Sequence, residues 1–161
     1  MGANKLFELA TNLRKVATNI KKEVAITALN HYKDKFLEGN GKWDGVKWED
    51  PQRKTYEPIL RQQSSKKGAP KRPKYLKGYT KRDKTRATLV GKGVLSRSIK
   101  YRIEASRIVF YSNVPYAKTH NDGEKAGKGA GFMMPKRTFL GMEKPLEIKI
   151  ENIIKKNLNT L

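Results

Sequence analysis

From Asn4 to about Leu37 the apolar residues recur in steps of three and four: Leu6, Leu9, Leu13, Val16, Ile20, Val24, Ala28, Tyr32 and Phe36. Residues spaced this way share one side of an α-helix, and Lys and Arg fill the other side. The pattern predicts one helix of about nine turns, capped by Asn4 and stopped at Gly39-Asn40-Gly41. A helix this long needs a surface to cover its stripe, and a sheet is the expected one. A membrane surface fits less well, because no Trp or Phe cluster widens the apolar face.

The rest of the chain supplies that sheet. Ile99 to Glu104 places apolar residues at odd positions and charged ones between, and Arg107 to Ser112 follows after Ala105-Ser106. Alternation of β-branched and aromatic residues on both sides of a short connection predicts a β-hairpin. Gly93 turns the chain into this strand, Leu95 faces the core, and Arg97 and Ser98 satisfy backbone groups at the strand start. From Pro145 to Leu158 helical spacing returns through Leu146, Ile150, Ile153, Ile154 and Leu158. The fold class is therefore α+β, with a long N-terminal helix and a C-terminal helix packed on a small antiparallel sheet, and a long basic loop. Residues 1–161 read as a single domain, with a Gly-rich flap at 123–131 and no internal repeat.

Residues 61–86 differ in composition from everything around them. Eleven bases (Arg61, Lys66, Lys67, Lys71, Arg72, Lys74, Lys77, Lys81, Arg82, Lys84 and Arg86) stand against the single acid Asp83. Ser, Gly and Pro interrupt them, so the segment reads as a long, mobile basic arm. The whole chain carries +21; without the arm 25 bases still face 14 acids, leaving +11. Such a field favours polyanions or an acidic protein surface, and the arm's ten lysines and arginines from Lys66 onward are its candidate polyanion contacts.

The composition also excludes several chemistries. With no cysteine there is no disulfide, thiolate metal site or Cys nucleophile. The start, MGANKLFELATNLRKV, has no signal-peptide core, and no apolar run approaches the length of a membrane span. His31 and His120 are the only histidines. His120-Asn121-Asp122 has the outline of a nuclease fragment without the further ligands such a metal site needs. Glu143 and Glu147 read as solvated helix charges. The glycines of 123–131 lack the surrounding strand and helix of a nucleotide fold. No catalytic residue, cofactor or metal is expected.

Four stretches in order resemble the phage virion morphogenesis family. They are the Gly/Trp loop ending at Trp48, Gly93 to Ile99, Val114 to Gly123, and Met134 to Gly141. Where the family usually has a Gln-Phe-Gly-like triplet, this chain has Asn121-Asp122-Gly123. The motif residues are Trp48, Leu95, Arg97, Ser98, Tyr116, His120, Gly123, Pro135, Arg137, Phe139 and Leu140. Trp48 is expected to pin its loop, and Tyr116 to pack its ring and give its hydroxyl a partner. His120 is expected to hold the flap through a backbone group, Arg137 to pair with an acid such as Glu143 or with a neighbouring subunit, and Phe139 and Leu140 to anchor the last helix.

The resemblance implies a structural role in tail completion or head–tail joining, as a ring, commonly sixfold. The partners would be copies of itself and other tail or neck proteins, with DNA in reach of the basic arm and no membrane. The site of action would be the virion's head–tail junction or tail end, after assembly in the host bacterial cytoplasm. The charge offers an alternative, a standalone nucleic-acid-binding protein, although no helix-turn-helix, RNP pair or zinc finger accompanies it.

Overall fold

The computed structural model describes residues 3–37, 41–50 and 87–159. The basic arm at 61–86 and the helix stop at Gly39-Asn40 lie outside the described residues.

Helix α1 runs from Ala3 to Asp34. Asn4 is inside its first turn, so it does not cap the helix. A tight pair, β1 (Lys42–Trp43) and β2 (Val46–Lys47), follows. Helix α2 (Val94–Ser98) then leads into β3 (Ile99–Ile103), which pairs antiparallel with β4 (Ile108–Ser112). Helix α3 (Ala117–Asp122), the two-residue strands β5 (Lys125–Ala126) and β6 (Phe132–Met133), and helix α4 (Lys144–Leu158) complete the order.

The β3–β4 hairpin matches the alternation in the sequence, with Ile99 opposite Ser112 and Ile103 opposite Ile108. The Glu104 amide donates to the Arg107 carbonyl at 2.8 Å and closes the turn. Two strands alone are marginal in water; here α1 packs on them and α4 packs on α1. Gly93 does not lead directly into a strand. Its φ of 72° starts the helical turn α2, in which Leu95 is buried.

The apolar stripe of α1 divides in two. From Val24 onward it is core: Val24, Ala25, Ala28 and Tyr32, with Phe36 just past the helix, are buried. Before that point Leu6, Leu9 and Leu13 stay exposed, so the expectation of one stripe covered along its whole length is corrected. The physical reason is reach. The α4 side chain Asn157, next to the last helical residue, donates to Glu23 at 2.9 Å, so α4 runs out where the buried half of α1 begins.

Phe139, Ile99 and Leu146 are the largest fully buried side chains. Removing each from water stabilises the fold by about 1.5–3 kcal/mol. They join Ala28, Tyr32, Phe36, Trp48, Leu95 and Ala117 in one cluster, so every major described segment contributes to it.

Candidate functional site

The Trp48 loop and the Val114–Gly123 stretch both bind the extended segment 134–141, and the Gly93–Ile99 stretch shares the core cluster with its Phe139. Trp48 is buried, as expected, and its Nε1 donates to the Thr138 carbonyl at 3.1 Å. Phe36 lies 6.3 Å from the Trp48 ring and 5.2 Å from Phe139, so the tryptophan loop, α1 and the motif segment share one aromatic junction.

Asn121 forms the second joint. Its Oδ1 accepts from the backbone amides of Phe139 and Leu140, both at 2.9 Å. Thr138 Oγ1 donates to the Asn121 carbonyl at 3.3 Å, and the Arg137 amide donates to the His120 carbonyl at 2.8 Å. The last turn of α3 therefore pairs with segment 137–140 much as a strand would. Asp122, at the triplet's aromatic position, is exposed. Sequence reading missed Asn121; the signal was the amide it keeps at the position of the family's Gln.

Gly123 ends α3 with φ 76°, and its amide donates back to Thr119. A Cβ there would stand 2.9 Å from Lys136 Cβ, so the glycine serves both the left-handed turn and the close crossing of the motif segment.

Arg137 is buried, and its guanidinium pairs with neither Glu143 nor any other carboxylate oxygen within salt-bridge distance among the described residues. Nε and Nη2 both donate to the Glu49 carbonyl at 3.1 Å, which ties the motif segment to the end of the Trp48 loop. Burial lowers its pKa, opposed by the charges of Glu49 and Asp50. The guanidinium remains charged at any ordinary pH.

His120 also differs from expectation. Its backbone carbonyl takes the Arg137 amide, but its side-chain Nδ1 is buried without a hydrogen-bond partner among the described residues. Burial pushes this imidazole below its ordinary value, and the Arg137 charge adds to the effect. Tyr116 stands edge-on to it at 5.9 Å and is itself 46% exposed, so that ring packs on one side only.

The remaining motif residues hold local structure. Ser98 Oγ donates to the Leu95 carbonyl at 2.7 Å and lies 2.6 Å from Ser112 Oγ, joining α2 to the far end of β4. Arg97 Nη2 donates to the Lys92 carbonyl at 2.7 Å, bracing the loop before Gly93. Pro135 and Leu140 are half-buried. Beside the joint a shallow cavity of about 190 Å³ opens between Ser112, Lys118, Asn121, Asp122 and Phe139. The polyanion candidates Lys66 to Arg86 lie outside the described residues.

A further cluster replaces the expected solvated charge at Glu143. This carboxylate is buried just before α4 and is met by His31 Nε2 and Lys35 Nζ. The Asp44 amide donates to its other oxygen at 3.0 Å, and the Lys144 amide donates back to Asp44 Oδ1 at 3.1 Å. Burial pushes the Glu143 carboxyl up, but the hydrogen bonds from Lys35, the Asp44 amide and His31 outweigh it and leave the group below its ordinary value. Lys149 Nζ lies 3.3 Å from His31 Nδ1, and Tyr32 donates to the Gly141 carbonyl at 2.8 Å. The end of α1, the β1–β2 turn and the start of α4 are thus tied through one carboxylate.

The fold and these joints define a small α+β structural module whose motif segments bind one another around a common aromatic core. The chain belongs to the phage virion morphogenesis family, whose model matches residues 4–159, nearly its whole length. No match was found among curated proteins or among solved structures. Membership gives the chain a structural part in building a phage particle, among other phage proteins. No helix of the described residues is long and apolar enough to cross a membrane.

Proposed function

We propose that this protein is a non-enzymatic component of tail completion or head–tail joining, acting at the junction or tail end as an oligomeric ring. The family match over residues 4–159 carries the reading. The joints support it: Asn121, Arg137 and Glu143, the polar groups most engaged in the motif region, are committed to hydrogen bonds between segments. Residues 1–161 act as one domain in this reading, with the basic segment 61–86 turned to acidic neighbouring proteins or to DNA.

Deleting the gene from its phage tests the role. The expected result is separate heads and tails by electron microscopy, restored to whole virions by the gene in trans. Normal virions from the deleted phage would overturn the proposal.

The +21 charge favours a second reading, a standalone nucleic-acid-binding protein. A gel shift across salt concentrations, with and without residues 61–86, separates the two. Tight duplex binding by a monomer near physiological salt, steeply salt-dependent and lost with the segment, supports the second reading over the first.

A further inference from the structure

We infer that the first half of α1 is a coiled-coil seam for the same half-helix of a second copy of this chain. Three observations carry it. The first is exposure. Helix α4 ends beside Glu23, and Lys21 reaches the Ala105 carbonyl at the tip of the β3–β4 hairpin. Residues 3–20, about 27 Å of helix at 1.5 Å per residue, lie beyond these two contacts, with Val16 and Ile20 half-buried. Along this stretch Leu6 is 57%, Leu9 54% and Leu13 47% exposed.

The second is the period of the stripe before the packed half. From Leu6 to Ile20 the apolar residues step three, four, three, four: Leu6, Leu9, Leu13, Val16, Ile20. That is a mean of 3.5, the repeat that keeps one seam facing a partner helix as two helices supercoil.

The third is charge. With Leu6 and Leu13 at the first heptad position, the four seam-flanking residues between Leu6 and Ile20 are Ala10, Asn12, Ala17 and Asn19, all uncharged. Every charged residue from Leu6 to Lys22 (Glu8, Arg14, Lys15, Lys21, Lys22) falls at the second or third heptad position, away from the seam. Flanking positions choose partners by charge. An acidic partner would be matched by bases there, and a chain of +21 would repel its own copy through them. Apart from Lys5, which flanks Leu6 at the helix start, the flanks are neutral and free of that repulsion, and the small Ala10 and Ala17 let two backbones approach. Two heptads are short for a free peptide, but here the helix is already nucleated by its buried half.

The inference deepens the oligomer reading above without depending on the head–tail location. It is tested on the full chain by light scattering over a range of concentrations, comparing wild type with Leu9→Asp/Leu13→Asp. Both positions are outside the core, and near-ultraviolet circular dichroism checks that the body is unchanged. Wild type is expected at twice the monomer mass or more, and the double variant at a mass at least twofold lower.

Because the chain has no cysteine, Leu13→Cys places a single thiol at the midpoint of the seam, where it meets itself in parallel or antiparallel pairing. It is expected to form a disulfide dimer in oxidised glutathione, whereas Thr11→Cys on the back of the helix is not. A monomeric wild type overturns the inference, including the cases where residues 51–86 or vesicles containing phosphatidylglycerol cover the stripe instead. Oligomers that survive the double substitution also overturn it, while leaving a ring built through other surfaces intact.

Discussion

His31 and Glu143, 112 residues apart in sequence, meet in a buried hydrogen bond that fastens the last turn of α1 to the start of α4. Lys35 joins the same carboxylate and lies 5.3 Å from the centre of the Trp43 ring, so the β1–β2 pair is held by the same contact. A buried carboxylate costs several kcal/mol to desolvate, and it is stable here because each oxygen is paired.

Glu143→Ala leaves Lys35 and His31 buried without their acceptor and is expected to cost about 3 kcal/mol or more. Urea unfolding reads it as a lower midpoint with an unchanged slope. The wild-type carboxyl sits below its ordinary value in the fold, so its contribution is fully present above the unfolded-state value of 4.5. It is lost as pH falls through the lower folded value. Glu143→Gln is expected to flatten the stability profile on that acid side.

Asn121→Leu removes the acceptor of two backbone amides while keeping similar volume. The Phe139 and Leu140 amides then lose their partner in a part-buried joint, at about 1–3 kcal/mol for the first and less for any amide that reaches water. Asn121→Asp keeps an acceptor in place and is expected to lose less. Thermal unfolding of the three proteins side by side gives the order; equal midpoints for Leu and wild type would refute the joint.

Gly123→Ala combines a left-handed backbone with a Cβ 2.9 Å from Lys136 Cβ. The conformation alone costs about 1–2 kcal/mol, and the contact adds to it. Gly45 has φ 82° with open space around its missing Cβ, so Gly45→Ala carries the backbone cost only. The difference in unfolding free energy between the two variants isolates the close crossing.

His120 is held below its ordinary value by burial and by Arg137. Its neutral form is the one the fold prefers, so its contribution is complete above the unfolded-state value of 6.5 and is lost as pH falls through the lower folded value. His120→Phe is expected to reduce the fall in stability between these two values, measured by urea midpoints at a series of pH. An unchanged fall assigns it to the carboxylates instead.

The two long helices and the β3–β4 hairpin were legible because their signals are local. A stripe at helical spacing, or a strict alternation across a short connection, constrains the backbone within a few residues. Leu95, Trp48, Phe139 and Leu140 were legible as packing residues because large apolar side chains in a mostly polar chain have one favourable place to go. The partners expected within the chain for Arg137 and His120 were misplaced. Guanidinium and imidazole groups serve whichever acceptor the fold brings near, and Arg137 met a carbonyl at Glu49 rather than the carboxylate of Glu143.

By itself the sequence determined that α1 is a helix and that its stripe is continuous, since these depend only on the order of side chains along one segment. Only the tertiary structure decided which half of that stripe is core: α4 meets α1 at Glu23 close to its own last residue, and burial follows from reach rather than from hydrophobicity. It also decided that Glu143 is a buried fastener and Asn121 a clamp. Each depends on partners supplied by segments distant in sequence, and no local pattern encodes where such a partner will stand.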